Sequence, residues 1–175
     1  MASARTADIR IYSSTIDIIL RGATGQMTKS HFRDYATAAF RFYAVTGSAD
    51  KYRQQVWEEA IQSQHREEGR SGISNPSEAA VLRADKAVMD VAAELADLEA
   101  VEKTIYNIEH MRCGNDIMKA LTMVYMAEPD KDIEKGQIQE RVHQAELFIP
   151  ASEKTVYRWL SMARRMLAEE RGLRI

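Results

Sequence analysis

The chain has 175 residues, of which 45% are hydrophobic and 29% charged, and its formal net charge is −2. This composition is typical of a folded domain and excludes a disordered or strongly polycationic chain. The single cysteine excludes an internal disulfide framework, and no apolar run reaches signal-peptide or membrane-span length, so we expect a cytoplasmic protein without a membrane role.

The first part of the chain, residues 1–75, is predicted to be an N-terminal helical bundle. Residues 12–21 suit a short helix, a second helix ends at Gly47, and Ser48 starts a third. Aromatic side chains are dense along the second and third helices, and we expect them to form the core of the bundle. They are Phe32, Tyr35, Phe40, Phe42, Tyr43, Tyr52 and Trp57.

The middle of the chain is predicted to be one long helix. Residues 69–76 contain two glycines, a proline and small polar residues, which indicate a linker. From Pro76 the helix is expected to continue to about Met111. Its apolar seam favours either packing on the N-terminal helices or a dimerising coiled coil, so residues 76–114 are interpreted as a linking or dimerisation segment. The seam, which Glu102 interrupts, consists of Val81, Ala84, Val88, Val91, Leu95, Leu98 and Ile105.

The last part, residues 115–175, is predicted to contain three helices. Asn115 can cap the first, which ends before Pro129. The second is expected from about Ile133 to Leu147, although Gly136 weakens its start. Apolar residues at helical spacing give the first of these helices a buried stripe. They are Ile117, Ala120, Leu121, Val124 and Tyr125.

The third of these helices has the sequence pattern that indicates a function. It is expected to begin after Ser152 as N-cap and to run to about Arg171. One stripe is apolar and predicted to be buried: Val156, Leu160, Ala163 and Leu167, widened by Trp159 and Met166. The opposite stripe reads Lys154, Arg158, Ser161 and Arg165. Residues 151–175 hold six Lys or Arg against three Asp or Glu, whereas residues 76–110 hold three against eight.

This pattern suits a helix lying in a groove of duplex DNA, although a basic stripe on an isolated helix is more often a solvated surface. The first turns could reach base edges, and the later arginines could reach phosphates. Thr155 and the backbone amides at the N-terminus could also bind phosphate. The candidate DNA-binding residues are Ser152, Lys154, Thr155, Tyr157, Arg158, Ser161, Arg164 and Arg165.

On these residues the last third of the chain resembles phage late-gene transcription activators of the RinA and ArpU type, whose C-terminal ends are similar to region four of sigma factors. Residues 117–125 match the leading helix, 137–145 the positioning helix and 152–160 the recognition helix. The ending at 167–173 also fits. The resemblance implies a helix-turn-helix that binds phage or prophage promoter DNA in a bacterial host, and contact with RNA polymerase. It departs at residues 143–151, a segment longer than the tight turn usual for the motif.

The sequence gives little support for a metal site, a catalytic site or a nucleotide-binding site. The four histidines are far apart, and His110 with Cys113 supplies only two ligands, so we expect no metal site. The adjacent Glu-Glu pairs point in different directions on a helix and cannot form a catalytic dyad. There is no phosphate-binding Gly-rich motif. We therefore expect no enzyme activity and no cofactor.

The sequence thus predicts an all-α protein with an N-terminal helical bundle, a long central helix and a C-terminal helix-turn-helix. Its expected partner is double-stranded DNA, and it is expected to be a homodimer that regulates transcription. Two alternatives stay open. A small terminase subunit would join similar elements in a larger ring, and a helical adaptor would not bind DNA at all.

Overall fold

The computed structural model describes residues 29–67 and 78–173, and every regular element in these ranges is helical. The predicted all-α class is therefore confirmed for the described part of the chain. The predicted short helix at 12–21 and the linker at 69–76 lie outside it. The helices are α1 (Lys29–Thr46), α2 (Ala49–Glu67), α3 (Glu78–Asp90), α4 (Ala92–Glu109), α5 (Gly114–Leu121), α6 (Gln137–Phe148) and α7 (Glu153–Glu170), and a π-helical turn (Thr122–Met126) continues α5.

The junction between α1 and α2 follows the sequence prediction. Gly47 ends α1 with a φ of 81°, a left-handed conformation that glycine adopts without steric cost. The Ser48 hydroxyl then accepts a hydrogen bond from the Lys51 amide at 3.2 Å, as an N-cap does. Glu102, which interrupts the apolar seam, accepts a second bond from the Ala49 amide at 3.1 Å. The Glu102 carboxylate thus provides a hydrogen-bond acceptor for a backbone amide at the N-terminus of α2.

The prediction of one long central helix is wrong. Val91 has φ −102° and ψ 19° and separates α3 from α4. Its amide bonds to the carbonyl of Val88, three residues back, so the regular pattern of bonds four residues apart is broken there. The break lets the two segments follow different neighbours. Helix α3 packs mainly on α2, whereas α4 packs on α1, α2, α5 and α7.

The apolar seam of these two helices faces the chain's own core. Ala84 is fully buried on α3, and Leu95 and Leu98 are buried on α4. Both leucines belong to the central hydrophobic cluster of the molecule. The seam residues on which a dimerising coiled coil would depend are therefore used within the chain, which favours the first of the two interpretations.

One hydrophobic core runs from α1 to α7. Phe40 of α1 stacks on Tyr125 of the π-helical turn with ring centroids 5.8 Å apart, and Phe42 meets Tyr52 edge to face at 5.3 Å. The predicted N-terminal aromatic residues do lie in a core, with Tyr43 and Trp57 only half-buried. That core continues into the C-terminal helices, and this continuity holds α7 in a fixed place.

The turn between α4 and α5 is built around Gly114. A Cβ atom there would lie 2.4 Å from the Ile108 carbonyl oxygen and 2.8 Å from that of Glu109, so no side chain fits. The N-cap of α5 is Cys113, and Asn115 lies inside the first turn, so the predicted capping role of Asn115 is wrong. The five apolar residues predicted for this helix are all buried.

Within residues 29–67 and 78–173, no helix combines the length and the apolar character that crossing a bilayer requires.

Candidate nucleic-acid interface

Helices α6 and α7 are joined by a short connection. Gly136, with φ 92°, precedes α6, so the helix begins later than Ile133, as the weakening effect of Gly136 indicated. It continues to Phe148, and only residues 149–152 separate it from α7. The expectation of a long turn over residues 143–151 is therefore wrong, because residues 143–148 are helical. The connection has the length of the turn in a helix-turn-helix.

One face of α7 is buried, and it is the predicted one. Val156, Ala163 and Leu167 have no exposed surface, and Leu160 is 2% exposed. Trp159 and Met166 are half-buried at the edges of this stripe. The face packs against α4, α5 and α6, so the rotation of α7 about its own axis is fixed by its core side chains.

The opposite face of α7 carries the candidate DNA-binding residues. Four of the eight are exposed on the helix (Lys154, Tyr157, Arg158 and Arg165), Ser152 is exposed just before it, and Thr155, Ser161 and Arg164 are half-buried. The twelve helical residues from Lys154 to Arg165 extend over about 16 Å. The structure thus brings the predicted residues to one accessible surface, which we call the α7 basic face.

The four cations of this face are not used to hold the fold. Lys154, Arg158, Arg164 and Arg165 form no ion pair within 4.0 Å with any described residue. Three other arginines instead form hydrogen bonds or an ion pair within the fold. Arg41 donates to backbone carbonyls of residues 128–131, Arg141 donates to the Val124 carbonyl, and Arg171 pairs with Asp97. The basic face therefore retains its hydrogen-bond donors for an external anion.

The loop before α6 is fixed by two of these interior arginines. Arg41 of α1 reaches the carbonyl oxygens of Glu128 at 3.1 Å and Pro129 at 2.9 Å. Arg141 of α6 lies within 3.5 Å of the Glu128 carboxylate. Burial, followed by the neighbouring charge of Arg141, lowers the pKa of Arg41. Glu128 itself has φ 47°, which is uncommon for a residue with a side chain. These contacts hold the entry to α6 in one conformation.

The far end of α7 is fixed by a buried ionic network. The guanidinium of Arg171 donates to the Asp97 carboxylate on α4, and the Tyr35 hydroxyl on α1 donates to the same carboxylate oxygen at 2.5 Å. Arg171 also donates to the Ala93 carbonyl at 3.3 Å. Burial, reinforced by the charge of Asp97, raises the pKa of Tyr35 well above its usual value of 10.0. Arg171, predicted only as the end of a helix, thus connects α7 to α4 and α1.

Tyr125 of the π-helical turn lies near cations of both α7 and α1. The Tyr125 hydroxyl lies within electrostatic reach of Arg164 on α7 and of Arg33 on α1. Burial raises the pKa of Tyr125, while the two cations act against that rise. Arg33 is exposed but forms an ion pair with the neighbouring Asp34 at 3.7 Å, so it does not extend the positive charge of the α7 basic face.

The N-terminus of α7 differs from the prediction. Ser152 is the N-cap residue, but its side chain makes no capping bond to a backbone amide. Its hydroxyl instead lies 3.2 Å from that of Thr155. The next residue, Glu153, places a carboxylate at this end of the helix, where the helix dipole favours negative charge.

A cluster of possible metal ligands at this end was missed by the sequence analysis. His143 Nδ1 lies 2.9 Å from a carboxylate oxygen of Glu153 and 3.9 Å from one of Glu146. The three ligand atoms all lie within 4.8 Å of one another. The signal was a His-x-x-Glu pair at 143–146 followed by Glu153 after the turn. A helix predicted to Leu147 already places residues 143 and 146 on one side, but the approach of Glu153 depends on how α7 packs against α6.

Comparisons with protein-family models, with curated proteins and with solved structures found no match to the chain. The resemblance to phage transcription activators therefore stays a prediction from the residues of the last third.

Proposed function

We propose that this protein binds duplex DNA through the α7 basic face and acts as a phage- or prophage-type transcription regulator rather than as an enzyme. The proposal rests on one observation, which is that α7 has a buried apolar face and, opposite to it, an exposed basic face. The buried face fixes the rotation of α7, and the opposite face presents four cations and Tyr157, with no ion pair to a described residue. Preorganised cations of this kind suit a phosphate backbone.

The neighbouring elements support a helix-turn-helix interpretation. Helix α6 packs on α7 across a four-residue connection, and α5 packs on both. In such a module the second helix enters the major groove, which is about 12 Å wide and admits one helix. Arg158 and Arg165 are seven residues apart, or about 10 Å along the axis, so they can contact phosphates at separate points of the groove.

The test is a salt titration of binding to a fluorescent random duplex, followed by anisotropy. If all four cations displace counterions, the slope of log K against log salt should be about −3 to −4. Replacing both Arg158 and Arg165 with Ala should reduce its magnitude by about 2. The matched control is Arg83→Ala with Lys86→Ala, which removes the same charge from exposed positions of α3.

Two results would overturn the assignment. One is the absence of duplex binding at low salt by protein whose helical circular dichroism is intact, which would favour the adaptor. The other is an equal change of slope in the α3 control, which would show that only the net charge matters. Selection of bound fragments from genomic DNA would then show whether binding is sequence-specific, as regulation requires.

We also propose that the regulator is a homodimer, with RNA polymerase as a further partner. Because the seam of α3 and α4 is occupied within the chain, self-association would use other residues. Leu82 and Met89 are 64% and 73% exposed and lie seven residues apart on the same side of α3. The mass of the protein in solution separates the remaining alternatives, since a terminase subunit would form a much larger ring.

A further inference from the structure

The geometry points to a divalent transition-metal site, with Zn²⁺ as its representative ion, formed by His143, Glu146 and Glu153 between α6 and α7. These residues supply one imidazole nitrogen and two carboxylate oxygens from two elements. Imidazole is a ligand for zinc, copper, nickel and iron, and carboxylate oxygen binds zinc at similar distances. A mixed set of this kind favours such an ion over Mg²⁺ or Ca²⁺, which prefer oxygen ligands only.

The distances suit a single ion. Zinc bonds of about 2.1 Å in tetrahedral geometry separate neighbouring ligand atoms by about 3.4 Å. The His143 Nδ1 atom lies 2.9 Å from the Glu153 oxygen and 3.9 Å from the Glu146 oxygen, so small side-chain rotations bring all three to bonding distance. The same nitrogen faces both carboxylates. Since each side chain is at least 38% exposed, water can complete the coordination sphere.

The placement of the residues also favours an ion. His143 and Glu146 are one turn apart on α6, and Glu153 is the first residue of α7 after the connection. A bound ion would therefore cross-link the two helices across their turn. It would also neutralise the two carboxylates, in place of the contacts that each makes with His143 in the metal-free protein.

Isothermal titration calorimetry of the full chain with ZnCl₂ tests this site without DNA, so its result is independent of the proposed function. All proteins carry Cys113→Ser, because the exposed thiol could bind zinc itself. We expect one ion per chain. His143→Gln, Glu146→Gln and Glu153→Gln should each weaken binding by at least the roughly 10- to 100-fold that loss of an outer-shell partner costs a metal site.

The matched controls are His110→Gln, at the residue just after α4, and Glu169→Gln on α7, both exposed and outside the cluster. They should bind Zn²⁺ like the parent protein. A thermal-melting series gives a second readout, since an ion that binds the folded state raises the melting temperature of the parent and of the controls, but not of the three ligand variants. Absence of saturable binding by the parent, or loss of binding in a control and not in the ligand variants, would overturn the site.

Discussion

The buried network around Asp97 makes a sharp prediction about what holds α7 in place. Arg171→Ala removes the guanidinium from a carboxylate that is 1% exposed, while the Tyr35 hydroxyl can still donate to it. Breaking a buried ion pair by removing one partner costs about 3–5 kcal/mol. The Arg171 side chain is 24% exposed and the tyrosine remains, so we expect the lower end, about 3 kcal/mol.

Urea denaturation followed by circular dichroism measures this loss. With a slope of about 2 kcal/mol per molar urea, the midpoint should fall by about 1.5 M. Arg158→Ala is the matched control on the same helix, because its side chain is exposed and forms no ion pair with a described residue. Surface changes of that kind usually stay within about 0.5 kcal/mol.

A double-mutant cycle isolates the pair itself. Asp97→Asn combined with Arg171→Ala should destabilise the protein by less than the sum of the two single changes, because no carboxylate is left buried without its cation. Coupling free energies between contacting residues are about 0.5–3 kcal/mol. If Arg171→Ala changes the free energy of unfolding no more than Arg158→Ala does, the network does not anchor α7 and the reasoning fails.

Two further predictions concern other parts of the core. Gly114→Ala should lower the free energy of unfolding by about 2 kcal/mol, because the added Cβ must displace backbone of α4. Urea denaturation measures this loss, with Cys113→Ala as the control. An unchanged urea midpoint for Gly114→Ala would contradict the close approach of the two backbones. Burial and nearby acids raise the folded-state pKa values of Tyr35 and Tyr52 above 10.0, so the stability that they contribute is complete below pH 10 and is lost as the pH rises. Each should lower the free energy of unfolding by up to about 1.4 kcal/mol per pH unit above that point. Tyr52→Phe should reduce this alkaline loss, whereas Tyr106→Phe, at an exposed position, should leave it unchanged.

The buried and exposed sides of α7 could be predicted from sequence because both depend on local periodicity. Helix geometry places Val156, Leu160 and Ala163 on one stripe wherever the helix lies in the fold. This is the apolar stripe of α7, so it is the side that is buried. The same holds for the five buried residues of α5 and the π-helical turn. The end of α1 was predictable for a related reason, since Gly47 takes a backbone conformation that few other residues adopt.

The features that the sequence did not reveal depend on contacts far along the chain. Val91 interrupts the central helix without a proline or glycine, at the point where α3 and α4 begin to pack on different helices. Arg171 and Asp97 are 74 residues apart, and nothing near either residue indicates the pairing. The end of α6 at Phe148 was predicted to within one residue, at Leu147, but the approach of Glu153 to this helix depends on how α7 packs against it. The His143 cluster was missed because its three ligand atoms come together only through that packing.

The two glutamates of the His143 cluster, at the start of α7, change which part of the helix should contact DNA. The sequence favoured the first turn as the base-reading end, with phosphate near the backbone amides. Glu153 and Glu146 place two carboxylates beside that end, and in the metal-free protein they would repel phosphate there. Arg158 and Arg165 lie one to three turns further along, away from both carboxylates. The proposed phosphate contacts therefore depend chiefly on these two arginines and on the half-buried Arg164.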